Sequence, residues 1–324
     1  MTDSLILDSL EIHNFRAFEH LLIEKLGRVN LIVGKNNVGK TCVLEALRYM
    51  SSVGSFEVIK EILTARNEFA FLDLEKYPLQ TKNEFILSKS SEIIHSYYES
   101  RLVYRKENSL NLKLSDIIIK NINKNSDAFS KRFPHIFVSD KSINDKLRVA
   151  TLWDNIYLTD SEEDVINILR IIEPNVKSIG FVEDKQEKDK RVPMIRLSTL
   201  KSPILLSVLG EGMNRLLGIA LALVNSKDGF LLIDEIDNGI HYSAQPDLWR
   251  LIFEGAKRMN VQVFATTHSW DCIEAFQQAA TESGTDDGML ISLRQKKKTP
   301  GHVVGITIDG KELEIITRDR IEVR

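Results

Sequence analysis

The run from Gly34 to Thr41, GKNNVGKT, carries the spacing G-x-x-x-x-G-K-[ST] in full. Glycines at both ends let the backbone curl so that several N–H groups aim at one anion. Lys40 then reaches the outer phosphates of a nucleotide, and the Thr41 hydroxyl can hold Mg2+. Far downstream, Phe230 to Ile233 runs apolar into Asp234 and Glu235, with Asp237 and His241 following. A carboxylate at the end of a buried strand is costly unless it has a partner. A nucleotide-bound Mg2+ is such a partner: Asp234 suits a metal-facing role, and Glu235 can orient or deprotonate an attacking water. A further apolar run ends in Thr266, Thr267 and His268. A His at that place either bonds a phosphate oxygen and holds the water or serves structure alone. Gly210 and Gly212 open a long apolar helix, and such a pair permits either close approach of an anion or a tight packing turn.

These residues need strands and helices in alternation to bring them together. VNLIV at 29–33 reads as a strand and Cys42 to Met50 as a helix, so strand, glycine turn and helix open an α/β domain. Residues 5–13 and 20–33 together read as two or three strands. From about 55 to 135 the composition shifts to Asn, Lys, Glu and Ser with broken helical patterns. The expected division is therefore a first lobe at 1–55, an inserted, mainly helical lobe at 56–135 and a second part of the first lobe at 136–324. In that second part, Val165 to Ile172 forms a helix stopped by Pro174. Two strands flank the charged turn DKQEKDKR at 184–191. FLLIDEID is a strand, AQPDLWRLIFEGAKRM an amphipathic helix with Pro246 near its first turn, and VQVFATTHS the next strand. The tail at 288–308 reads as two strands around RQKKKTPG.

Composition sets the class. The chain has 324 residues, of which 43% are hydrophobic and 27% charged, as in a soluble globular protein of one large domain or two moderate ones. A formal net charge of −3 gives no argument for nucleic acid. Arg294, Lys296, Lys297 and Lys298 form a local basic run that either touches phosphate or caps a solvated hairpin, the second being favoured. Cys42 and Cys272 make neither a disulfide framework nor a metal cluster and suit a reducing compartment. The acidic N-terminus reads as no export signal. The most apolar stretch, Leu205 to Val224, contains Glu211, Asn214 and Arg215, so it is a core helix and not a membrane span. The expected setting is cytoplasmic.

The order strand–GKNNVGKT, insertion, glycine-opened helix, FLLIDEID and TTHS resembles an ABC-class ATPase head. The chain is similar to the SMC/RecF/OLD group, and most similar to standalone OLD-like (overcoming lysogenisation defect) AAA-labelled ATPases. LEIHNFRAFEH with NLIVGKNNVGKT carries the likeness at one end, and LLIDEIDNGIH with FATTHS carries it at the other. It skips roughly 55–135. The resemblance implies an α/β fold, a P-loop ABC-type ATPase head with a mainly helical insertion. It implies that Gly34, Lys35, Asn36, Asn37, Val38, Gly39, Lys40 and Thr41, with Cys42 behind them, bind ATP as Walker A. Asp234 would be the Walker B acid, sharing Mg2+ with Thr41. Glu235 would be the catalytic base and His268 the switch histidine. Asp237 lies where the loop joining two active sites begins. Gly210, Glu211 and Gly212 would be the signature loop, touching the nucleotide of the opposite subunit, and Arg16 lies where family members contact nucleotide. Two departures stand out. Leu209-Gly210-Glu211-Gly212 replaces the Ser-Gly-Gly of transporter-type heads, with Ser207 displaced, and no glutamine loop is placed, Gln80 lying in the insertion.

The function so implied is an ATP-hydrolysing switch that dimerises on ATP. The tail beyond His268 is short for a Toprim nuclease, so the expected effector is a separately encoded protein, such as a Toprim nuclease, in DNA repair or anti-phage defence. Direct DNA contact stays open, and no membrane is expected. The alternatives are a non-hydrolysing nucleotide sensor or structural dimerisation module, and a transporter head, which would need a membrane partner and a better signature.

Overall fold

Continuous apolar runs become strands buried on both faces, and helices cover them. The structure is a computed structural model, and it describes residues 5–52, 55–66, 118–120, 133–139, 142, 145–185, 187–284, 287–296 and 302–323. Most of the expected insertion, Gln80, Lys297 and Lys298 lie outside the described residues.

An antiparallel hairpin comes first, β1 (Leu10–Phe15) with β2 (Phe18–Ile23). The chain then crosses β3 (Val29–Gly34) and enters α1 (Lys40–Ser51) and α2 (Phe56–Ala65). β4 (Ile118–Lys120) pairs with β1, so a short piece of the range expected to be inserted is the third strand of the order β2-β1-β4. β5 (His135–Val138) starts the return. Then come α3 (Lys146–Asp154), α4 (Ser161–Leu169) and the antiparallel strands β6 (Val176–Glu183), β7 (Arg191–Leu197) and β8 (Ile204–Leu205). α5 (Glu211–Asn225), β9 (Phe230–Ile233), α6 (Gln245–Arg258), β10 (Gln262–Thr266), α7 (Trp270–Glu282), β11 (Gly288–Gln295), β12 (Val303–Ile308) and α8 (Gly310–Asp319) complete the described chain.

The central sheet has the order β12-β11-β3-β10-β9-β5 and is parallel except at the β11–β12 edge. β3, β9 and β10 are buried at every position, as expected of parallel strands covered on both faces. Side-chain alternation divides the core. Val29, Leu31 and Val33 face the cluster built with α5, α6 and α7, while Ile32, Leu232 and Phe264 face the one built with α1 and the hairpin. α5 is apolar nearly all round and is the central helix of the first cluster.

Several boundaries differ from the expectation. The strand at FLLIDEID ends at Ile233, so both acids stand in the turn beyond it. The strand at VQVFATTHS ends at Thr266. α5 begins at Glu211, with Gly210 as its N-cap and Gly212 inside its first turn, and a short 3-10 turn, Leu206–Leu209, precedes it. The tail adds α8 after its two strands, a helix capped by Asp309, whose carboxylate accepts from the Lys311 and Glu312 amides. Its apolar face is interrupted by charges, which hid it from a reading by apolar runs.

Candidate functional site

In open α/β sheets ligands sit beyond the carboxyl ends of parallel strands. Three adjacent strands, β3, β10 and β9, bring their ends together here, with β10 in the middle. β3 runs into the loop from Gly34 to Gly39. Gly34 has φ 149°, and a Cβ there would lie 2.7 Å from the Leu293 carbonyl oxygen. Gly39 has φ 111°, and its Cβ would meet the Phe18 ring at 2.7 Å. Neither position tolerates a side chain. Lys35, Asn36 and Asn37 are exposed at the loop tip, and Val38 is buried. Lys40, Thr41 and Cys42 open α1, where amides have no carbonyl one turn earlier to bond and the helix end is electropositive. The Cys42 side chain is buried, so its backbone is what it can offer a ligand.

The Lys40 ammonium lies across the loop, donating to the Gly34 and Lys35 carbonyls at 2.8 and 3.2 Å. Burial holds its pKa below the usual lysine range, while the carboxylates of Asp234 and Glu235 pull it back up. Its third contact is His268 Nδ1 at 3.3 Å. An ammonium only donates, so Nδ1 accepts and the ring proton of a neutral His268 sits on Nε2. That Nε2 faces Glu235 Oε1 at 3.9 Å. One imidazole therefore lies between the Lys40 ammonium, which it bonds, and the Glu235 carboxylate, which it approaches.

Asp234 is held from two sides. The Thr41 hydroxyl is 3.2 Å from both of its carboxylate oxygens, and the Thr266 hydroxyl donates to Oδ1 at 2.7 Å. Thr266 Oγ1 also accepts from the Glu235 amide at 2.9 Å. Mg2+ takes oxygen ligands in an octahedron at about 2.0–2.1 Å, and Thr41 with Asp234 is an all-oxygen pair close enough to share one ion. The residues present fit the metal.

Glu235 itself is left-handed, with φ 51°. For a residue with a Cβ this costs about 1–2 kcal/mol. The turn holds because its groups are bonded: Arg215 of α5 donates to the Asp234 and Glu235 carbonyls, and the Ile236 amide bonds the Thr266 carbonyl at 3.0 Å. Asp237 accepts from the Thr267 hydroxyl at 2.6 Å. The backbone of Glu235 is thus pinned while its side chain is 52% exposed.

The structure brings Lys40, Thr41, Asp234, Glu235 and His268 into one contiguous set. Gly212 packs on the same turn from the other side, where a Cβ would meet the Gly239 carbonyl at 2.7 Å; of the two roles open to it, packing is the one on view. Gly210 is exposed at φ 97° with open space around it, and Glu211 is exposed. The Arg16 side chain, 8% exposed, pairs with Glu45 of α1 at 2.7 Å, and Arg66 takes the other Glu45 oxygen at 2.6 Å. Thr266 and Arg215 carry site roles that the sequence reading did not assign. Arg215 had a usable signal: a lone arginine in a helix apolar nearly all round has to bond something inside the protein.

A family model described as AAA ATPase domain matches residues 6–181 and 154–273. The chain belongs to this family. It is 24% identical over 375 residues to an ATP/GTP phosphatase of Helicobacter pylori, covering 95% of this chain and 97% of that protein. A shorter match, 34% identical over 90 residues, joins it to the DNA replication and repair protein RecF of Clostridioides difficile, over 26% of this chain and 24% of RecF. The fold is that of SMC heads. The Smc head bound to the C-winged helix domain of ScpA superposes with a TM-score of 0.55 at 14% identity, covering 94% of this chain and 98% of that one. A Pyrococcus furiosus Smc head with an extended coiled coil gives 0.53 at 11% identity, covering 98% and 99%. The chain is thus an ATPase with the fold of a P-loop, ABC-type head. Among the described residues no helix is long and apolar enough to cross a membrane.

Proposed function

We propose that this AAA ATPase is a cytoplasmic, OLD-like molecular switch that closes into a homodimer on ATP and Mg2+, reopens on hydrolysis and thereby regulates a separately encoded effector in DNA repair or anti-phage defence. The observation that carries the reading is the chain of contacts Lys40–His268–Glu235 beside Thr41–Asp234–Thr266. It joins the phosphate-binding loop, the metal-facing acid and a pinned but exposed carboxylate in one place.

In this reading Lys40 leaves the loop carbonyls for the outer phosphates, and the amides of Gly39 to Cys42 hold the rest. Mg2+, when bound, supplies charge neutralisation on the transferring phosphoryl group, and Thr41 and Asp234 are the residues that would hold it. Glu235 orients a water and accepts its proton. His268, bonded through Nδ1, keeps its Nε2–H directed at that carboxylate and the outer phosphate. Arg16, whose guanidinium pairs with Glu45 of α1, is the candidate nucleotide contact on the hairpin turn.

Two features support dimerisation. Gly210 and Glu211 are exposed at the start of α5, and the apolar side chains of Leu205 and Val208 just before them, and of Tyr242 beyond Gly239, are exposed as well. A second head would cover them while its own P-loop nucleotide met Gly210–Gly212. The likeness to RecF supports the DNA-repair reading, with Arg294 and Lys296 as candidate phosphate contacts. The chain divides in this account into ATPase parts at 1–55 and 136–324 and an insertion at 56–135, from which β4 returns to pair with β1.

Glu235→Gln tests it. The amide keeps the size but cannot accept a proton, so hydrolysis should drop by about 10²–10⁴-fold while ATP–Mg2+ binding persists. Light scattering should show the variant trapped as a dimer with ATP. Wild-type turnover would remove Glu235 as base, and one unchanged mass with and without ATP would remove the ATP-driven dimer.

A further inference from the structure

The outer face of the β1–β2 hairpin carries three groups that the nucleotide site does not use. In the antiparallel register Ile12 lies opposite Leu21, and His13 lies opposite His20. Alternation sends Leu10, Ile12, Leu21 and Ile23 into the core and leaves Glu11, His13 and His20 together on the other side. Asn14, left-handed at φ 53°, then turns the end of β1 so that Phe15 re-enters the core. The two imidazoles stack, with centroids 4.5 Å apart and 19° between planes. Both Nε2 atoms converge on the same oxygen, Glu11 Oε1, at 2.9 and 3.0 Å. One ligand atom from each of the three residues lies within 4.8 Å of the other two.

We propose that Glu11, His13 and His20 form a site for a divalent transition ion of the Zn2+ type, separate from the nucleotide Mg2+. Two imidazoles and one carboxylate are a donor set that Zn2+, Co2+ and Ni2+ take readily, whereas Mg2+ and Ca2+ seek oxygen alone. Three protein ligands leave a fourth position for water. Each ring offers Nε2 to the ion when its proton resides on Nδ1, and the carboxylate oxygen that now accepts from both rings becomes the third ligand. The residues are half-buried, with side chains 29%, 40% and 16% exposed for His13, His20 and Glu11, so an ion can enter from solvent into a partly desolvated cradle.

The place gives the ion a consequence for the head. The turn of this hairpin carries Arg16, paired with Glu45 of α1, and β2 carries Phe18, whose ring lies under Gly39 of the P-loop. An ion bridging β1 to β2 would lock the register of the strand pair that buttresses the phosphate loop, and would raise the melting temperature of the nucleotide-free protein.

Cobalt(II) is a suitable probe, because nitrogen ligation of low coordination number gives it strong visible bands. Titrated into the full chain without nucleotide, Co2+ should develop such bands to one equivalent, and Zn2+ should displace it. His20→Ala, His13→Ala and Glu11→Gln, each checked for native circular dichroism, should lose the bands, and Asp234→Asn should keep them. No bands in the wild type would overturn the proposal and leave a carboxylate bonded to two histidines. Bands that survive both histidine changes, or vanish only in Asp234→Asn, would overturn it by placing the ion elsewhere.

Discussion

Arg215 grips the backbone of Glu235, donating to its carbonyl at 2.7 Å, and the same nitrogen reaches the Asp234 carbonyl at 2.9 Å. Helix α5 and the acid turn are therefore one mechanical unit, and a shift of α5 is felt at the exposed carboxylate. Arg215→Lys keeps a charge but loses the planar fork. Turnover should fall about tenfold or more with the KM for ATP little changed, since Arg215 acts through the position of Glu235. Steady-state kinetics decides this, and a rise in KM alone would refute the positioning role.

Lys40→Ala should abolish measurable ATP binding or weaken it by at least about tenfold, because hydrogen bonds from a charged donor contribute about 1.5–3 kcal/mol. Calorimetric titration on folded variant is the measurement. Wild-type affinity would remove Gly34–Thr41 as the phosphate site.

Thr266→Val keeps shape and removes one hydroxyl. Thr266 is 1% exposed, donates to Asp234 and accepts from the Glu235 amide, so both lose a partner. Stability should fall by about 1–3 kcal/mol, and turnover should fall with it as the left-handed turn loosens. Urea unfolding with unchanged midpoint would show that the hydroxyl is dispensable.

Burial pushes the Cys272 thiol up to about 12, and burial, with Glu45 beside it, raises Cys42 as well. Both should resist a thiolate-directed reagent at pH 8 in the native protein and react on denaturation. The sign for stability follows. A thiol whose folded pKa is raised stabilises fully below its unfolded value near 9 and loses that contribution as pH rises towards 12. Thermal melts should fall across that window, and rapid native labelling of Cys272 at pH 8 would contradict its burial.

The chemistry of this protein was legible in the order of its residues because the chemistry is local. GKNNVGKT sets its glycines, lysine and threonine in one short run, and an apolar run ending in Asp234 and Glu235 announces a buried strand with costly acids at its tip. Period and turn residues also indicated the α/β class and the main helices. The sequence could not say that β10 lies between β3 and β9, because strand order is set by long-range packing and leaves no mark on any one strand. That order makes Thr266 a hub for Asp234 and Glu235 and sets His268 between Lys40 and Glu235. Nor could it say that Arg215 would reach two carbonyls about twenty positions away, or that Gly212 would yield space to Gly239. Residue types can name groups that need partners. Which partners they meet is decided by tertiary packing, since only the folded chain brings distant strand ends within hydrogen-bond length.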